Sequence, residues 1–200
     1  MLVTKTVPIE GIREAFELGV RDFGENRVQE FLAKLPELGS EIKWHFLGHL
    51  QTNKVKSIVG EVALVHSLDR LSLAEEIQKQ AQKRNVTMDV LIQVNTTGNV
   101  KQSGFAPEKV EDVVGVIHES PLLNRIRIRG LMTIGPFTTD ERAARESFQK
   151  LRNLREKLNQ RFPQEAIHEL SMGMSSDFEA AIEEGATLVR IGTAVFGERK

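Results

Sequence analysis

The first residues in this sequence that could do chemistry lie in a short apolar strand, Met1, Leu2, Val3 and Thr4, that ends in Lys5 and is followed by Thr6, Val7 and Pro8. A lysine at the end of a core strand is costly to bury unless it is paired or has lost its proton. Lys5 is therefore either an exposed lysine on a ragged terminus or an amine made nucleophilic by desolvation, the chemistry of a Schiff-base lysine. Two later stretches could hold an anion. In Ser171, Met172, Gly173, Met174, Ser175, Ser176 and Asp177 a glycine leads into a helix start, and Arg190, Ile191, Gly192, Thr193 and Ala194 form a second glycine turn. Free backbone N–H groups at such turns, the hydroxyls of Ser175, Ser176 and Thr193, and the close approach that Gly192 permits make a phosphate-binding arrangement. The alternative for the two serines is plain helix capping. Arg190 alternates with Leu188 and Gly192, so it faces the same side as Gly192 and needs a partner there. Asp22, Glu25 and Asn26, with His45 and His49 in the run 44–51, add polar groups. Taken singly, the histidines read as satisfied core or loop residues and Met132 as packing. No pair of them has metal-ligand spacing with a carboxylate nearby.

These residues need a regular scaffold. Apolar runs short enough to be strands recur at residues 20–24, 43–47, 62–67, 88–95, 126–133, 169–172 and 186–191. Between them the apolar positions take helical spacing. Ile9, Ile12 and Phe16 follow Pro8; Val28, Phe31, Leu32 and Leu35 follow Asn26 as cap; residues 51–59 follow Thr52 as cap. Leu73, Ala74, Ile77 and Ala81 mark a helix over 69–84, and Val110, Val113, Val114 and Ile117 mark one opened by Pro107. Thr138 with Glu141 reads as a capping box for a long helix carrying Ala144, Phe148, Leu151 and Leu158, and Ser176 with Glu179 as another.

Strict alternation of strand and helix predicts parallel strands joined by helical crossovers, and eight of them predict a closed (β/α)8 TIM-type barrel formed by residues 1–200 as one domain. An open doubly wound sheet is the alternative, but no glycine-rich fingerprint follows the first strand. In such a barrel the C-terminal strand ends carry the chemistry, and phosphate binds after strands seven and eight, where the two glycine turns fall. The count gives eight strands and seven helices. One outer helix is missing, so the outer faces of strands one and eight are expected to be less covered than the rest. An upstream segment, another chain or the tail folding back through Val195 and Phe196 would cover them.

Composition narrows the class. The 200 residues contain no cysteine and no tyrosine, and 27 Lys+Arg against 28 Asp+Glu leave a net charge of -1 with the signs mixed. A general nucleic-acid or membrane surface is not expected from that balance. No apolar run approaches bilayer length and no signal-peptide layout opens the chain, so the expectation is a soluble cytoplasmic protein.

Together the runs Val3 to Thr6, Phe23 to Asn26, Trp44 to Lys54, Ser171 to Asp177 and Val189 to Thr193 closely resemble the pyridoxal-phosphate homeostasis protein family, which looks like the N-terminal barrel of alanine racemase standing alone. The resemblance implies that Lys5 holds pyridoxal 5'-phosphate as an internal aldimine, with its phosphate on Ser175, Ser176, Gly192 and Thr193. It implies that Arg190 faces the pyridine nitrogen and that Asn26, His45 and Met132 line the pocket. Arg27 stands where the family often has an aromatic residue, and the helix that usually precedes the first strand is missing. The resemblance further implies a non-enzymatic carrier that delivers the cofactor transiently to apo-enzymes, as a monomer or as a dimer through the uncovered barrel side. The competing reading is a racemase or lyase using the same cofactor. The second base of alanine racemase is a tyrosine from a separate domain, and this sequence has neither. A third reading is a sugar-phosphate barrel that forms no Schiff base.

Overall fold

The computed structural model describes residues 1–197. Eight strands form one sheet in chain order: β1 (Leu2–Val3), β2 (Asp22–Glu25), β3 (Lys43–Phe46), β4 (Leu64–Leu68), β5 (Met88–Gln93), β6 (Ile126–Met132), β7 (Glu169–Met174) and β8 (Leu188–Arg190). Every neighbouring pair is parallel. The ends join as well: Val3 N donates to Ile191 O at 2.7 Å and Ile191 N to Met1 O at 3.1 Å, which closes the barrel predicted from the alternation.

Seven α-helices form the outer layer: α1 (Ile9–Glu17), α2 (Val28–Lys34), α3 (Leu71–Arg84), α4 (Val110–Glu119), α5 (Glu141–Arg161), α6 (Phe178–Glu183) and α7 (Thr193–Phe196). The apolar stripes read from the sequence pack inward on α3, α4 and α5, where Ile77, Val114 and Phe148 are fully buried. Strand residues pointing outward against this layer, such as Phe23, Phe46, Val65, Ile92 and Leu170, make the main core. A smaller cluster of Leu64, Leu91 and Met132 lies inside the barrel.

Several local expectations change. Residues 51–59 do not form an α-helix: Thr52–Ser57 is a 3-10 turn, with Lys54 N donating to Gln51 O and Ile58 N to Val55 O. A segment this short gains little from helix propagation, so burying Val55, Ile58 and Val59 sets its shape. The long helix is capped by Asp140, whose carboxylate accepts from Arg142 N at 2.9 Å, while Thr138 accepts from Asp140 N instead. Asp177, not Ser176, stands at the start of α6, Gln51 rather than Thr52 precedes the 3-10 turn, and Arg27 rather than Asn26 precedes α2. On α2 the buried face is Val28, Phe31 and Lys34, and Leu32 is exposed.

The eighth outer position is filled by a single helical turn, α7, whose Phe196 packs partly against the core while Val195 is exposed. Leu2, Val189 and Ile191 on this side remain half-buried, in contrast to the fully buried Phe23 and Val65 of other strands. The expected thin side of the barrel is present.

Lys34 matters because it is a buried cation in the outer core. Its Nζ donates to Glu25 Oε1 and to Thr4 O, both at 2.7 Å, and Glu25 is fully buried. Removing one partner of such a pair strands the other charge, whereas replacing both by apolar groups removes the desolvation cost too. Lys34→Ala is expected to destabilise the barrel by about 3 kcal/mol, lowering the melting temperature by roughly 6–12 °C. Lys34→Met combined with Glu25→Leu should regain most of that loss in thermal unfolding. Equal losses in the single and double variants would show that the pair is not what matters.

Candidate functional site at the C-terminal mouth of the barrel

Lys5 stands in the turn directly after β1. Thr4 still belongs to the ladder, its N–H donating to Gly24 O at 3.0 Å and its hydroxyl to Glu25 Oε1 at 2.6 Å on the outer side. Alternation then makes Met1, Val3 and Lys5 the inward series. In agreement, a Cβ on the inward-facing Gly24 would come within 2.9 Å of the Met1 methyl group. The backbone on both sides of Lys5 is held from α2: Lys34 Nζ binds Thr4 O, and Glu30 Oε2 accepts from Thr6 N at 2.8 Å. Thr6 has φ 62°, a left-handed conformation that a threonine rarely adopts and that these contacts sustain. Lys5 is half-buried, so its amine starts from a fixed backbone with access to the mouth.

Beside Lys5, because β8 joins β1, the loops after β7 and β8 are tied together by Ser175, whose Oγ accepts from Gly192 N at 3.1 Å and Ala194 N at 3.3 Å. A hydroxyl has one proton to give, and with its lone pairs occupied Ser175 presents that proton outward. Ser176 and Thr193 are exposed beside it. Ser175, Ser176, Gly192 and Thr193 are thus brought together as the sequence predicted, with Ser175 the bridge between the two loops.

Arg190 is buried on the inner face of β8, where Nη1 donates to Ser171 Oγ and Nη2 to Thr133 O, each at 2.8 Å. The partner expected for it is therefore a hydroxyl and a carbonyl, not a carboxylate. Burial pushes its pKa down to about 10, which leaves it charged at neutral pH.

Asn26, at the end of β2, has a buried Oδ1 without a hydrogen-bond partner. Its backbone lies against Gly48, where a Cβ would sit 2.0 Å from Asn26 O, so only glycine fits there. Next to it a cleft of about 210 Å³ is lined by Arg27, Phe46, His49 and Lys54 among others. Met132 is buried in the inner cluster with Leu64 and Leu91. His45 is a satisfied core histidine. It shares a register row with Val3 and Gly24, one inward position below Lys5, and both ring nitrogens are taken, by Asp22 at 3.1 Å and His66 at 2.9 Å. It reaches the mouth only through these partners. His66 and Lys34 were missed in the sequence; the signal available for His66 was a polar residue alternating with Leu64 in an otherwise apolar strand. Among the described residues no group of three or more histidines and carboxylates could hold a metal ion. Among the described residues no helix is long and apolar enough to cross a membrane.

At the C-terminal strand ends the barrel thus carries a half-buried lysine amine, two loops joined by Ser175, a buried guanidinium and a buried amide oxygen without a partner. The family described as alanine racemase, N-terminal domain, matches residues 1–200. The pyridoxal phosphate homeostasis protein of Aquifex aeolicus is 51% identical over 198 residues, covering 98% of this chain and 85% of that protein. PipY of Synechococcus elongatus, solved without PLP, superposes with a TM-score of 0.92 at 37% identity, covering 98% of this chain and 92% of that one. The same protein with PLP bound gives a TM-score of 0.90 at 37% identity over the same shares. With its closed parallel barrel and this match along its length, the chain belongs to the alanine racemase N-terminal domain family, in the branch of the pyridoxal phosphate homeostasis proteins.

Proposed function

We propose that this barrel binds pyridoxal 5'-phosphate through a Schiff base on Lys5 and serves as a non-enzymatic holder that keeps the cofactor and passes it to apo-enzymes. The observation that carries this reading is the placing of Lys5 on the same inner face as a buried Arg190 whose partners are neutral, with the Ser175 bridge between the flanking loops. The residues fit the group. Ser175, Ser176, Thr193 and the backbone at Gly192 would hold the phosphate, and the unpaired Asn26 Oδ1 offers an acceptor to a ring hydroxyl. Arg190, a donor at any ordinary pH, would meet the ring nitrogen and keep it unprotonated. When bound, pyridoxal phosphate supplies an aldehyde for amines and a ring that takes up electrons when its nitrogen carries a proton. A guanidinium at that nitrogen opposes the second property, which suits storage better than turnover. The absence of tyrosine from the chain points the same way, because a racemase needs a second base on the far side of the substrate. The PLP-bound relative supports the choice of ligand.

Adding pyridoxal 5'-phosphate to the purified protein is expected to produce a yellow absorption band that borohydride fixes to Lys5, located by peptide mass. Lys5→Ala should lose the band while retaining the fold and weak noncovalent binding. A band that persists in this variant would overturn the assignment.

Replacing Ser175 and Ser176 by alanine together with Thr193→Val removes hydrogen bonds to a charged group. Affinity should fall by about 1–3 kcal/mol, or roughly 5- to 150-fold, with the covalent link still forming at high ligand concentration. Unchanged affinity in the triple variant would place the phosphate elsewhere.

Alanine incubated with the loaded protein in deuterium oxide should racemise no faster than with free cofactor. Deuterium entering at the α-carbon at a clear excess would favour the enzyme reading instead.

A further inference from the structure

Below Lys5 the barrel interior contains a continuous row of polar side chains contributed by five different strands. Asp22 Oδ1 lies 3.1 Å from His45 Nε2, His45 Nδ1 2.9 Å from His66 Nε2, and His66 Nδ1 2.9 Å from Ser171 Oγ. Ser171 Oγ is in turn 2.8 Å from Arg190 Nη1. His45, His66, Ser171 and Arg190 are all buried, and only Asp22, with its side chain 44% exposed, reaches solvent.

The chemistry of the two ends fixes the direction of every bond. A guanidinium only donates, so Ser171 accepts from Arg190. A carboxylate only accepts, so His45 donates to Asp22 from Nε2. A neutral imidazole has a single N–H; His45 Nδ1 must then accept, and the proton it accepts is on His66 Nε2. His66 Nδ1 must accept in turn, and Ser171 donates its hydroxyl proton to it. Burial keeps both rings neutral, lowering the pKa of His45 and lowering that of His66 further, where His45 and Arg190 add to the effect. If Asp22 could donate, the row could reverse: both histidines could carry the proton on Nδ1, with His66 donating to Ser171. The Asp22 carboxylate therefore sets the direction from the far end of the barrel.

We propose that Asp22, His45, His66 and Ser171 are positioning residues that hold Arg190 in place through a one-directional hydrogen-bond row running the depth of the barrel. The consequence for the ligand, that a fixed guanidinium holds the ring nitrogen of pyridoxal phosphate unprotonated, rests on the function proposed above; the row itself does not. A side chain fastened at only one of its terminal nitrogens can rotate about its Cζ bonds, and the serine link removes that freedom.

Multiple-bond proton–nitrogen spectra of the ligand-free protein at neutral pH test the row directly. His45 and His66 should both be neutral and protonated on Nε2, and Arg190 should show separate, slowly averaging Nη signals. Ser171→Ala and His66→Phe should collapse the Arg190 signals, and His66→Gln, whose amide can donate toward His45 and accept from Ser171, should preserve them. Pyridoxal phosphate affinity should fall about tenfold in His66→Phe, the effect of one buried hydrogen bond, and less than about threefold in His66→Gln. Should the core variants not fold, the unaltered protein keeps the test open, because its spectra alone report both tautomers. An Nδ1 proton or an imidazolium at either histidine of the unaltered protein overturns the row. Failure of the unaltered protein to bind pyridoxal phosphate would sink the ligand reading alone, since the spectra need no ligand.

Discussion

A guanidinium kept charged inside a closed barrel has to be solvated by the barrel itself. Among the described residues Arg190 has no carboxylate against it, so a carbonyl at the end of β6 and a serine of β7 take the place of water. This requires β6, β7 and β8 to be held in close register. Gly130 lets β6 approach β7 so tightly that a Cβ there would fall 2.0 Å from Glu169 O. At Gly173, with φ +85°, a Cβ would come within 2.5 Å of Ala181 on α6. Both glycines give close packing to β7, the strand that presents Ser171 to Arg190.

Two lysines near the end of β1 have opposite fates, and the packing explains the difference. Lys34 comes from outside the sheet, spends its charge on Glu25 and the Thr4 carbonyl, and is closed off from solvent. Lys5 comes from the strand end itself, one residue beyond the carbonyl that Lys34 holds, and turns toward the opening. The paired lysine thus serves the free one, because the backbone from which Lys5 projects is fixed on one side by Lys34 and on the other by Glu30. Glu30 and Lys34 of α2 are four residues apart, which puts them on one helix face toward the β1 turn.

The same economy shows in the hydroxyls. Ser175 joins the β7 and β8 loops, Ser171 joins Arg190 to His66, and Thr4 joins β1 to Glu25. Ser175 accepts from two backbone N–H groups, Thr4 donates, and Ser171 accepts from Arg190 while standing 2.9 Å from His66, since a hydroxyl can take either role. The thin side at β1 and β8 stands apart from all of this. Its half-buried Leu2, Val189 and Ile191 belong to the outer layer, while the polar row lies inside the sheet.

The sequence by itself determined the alternation of strands and helices, the inward stripes of α3, α4 and α5, and the residues gathered at the mouth, since each is expressed in local period or in turn chemistry. Ser175, Gly192 and Lys5 were legible for that reason: a strand end or a glycine turn marks them within a few residues. Helix starts were read less well, because Thr138 and Asp140 both suit a cap and only the packed turn selects between them. The tertiary structure alone decided the partners. His66 and Ser171 are 105 residues apart in the chain, Arg190 and Thr133 57, and His45 and His66 21. Nothing in a period of two or 3.6 residues encodes which inward positions of different strands will meet. That is set by barrel closure and strand register, and these are what joined His45 to His66 in a hydrogen-bonded row.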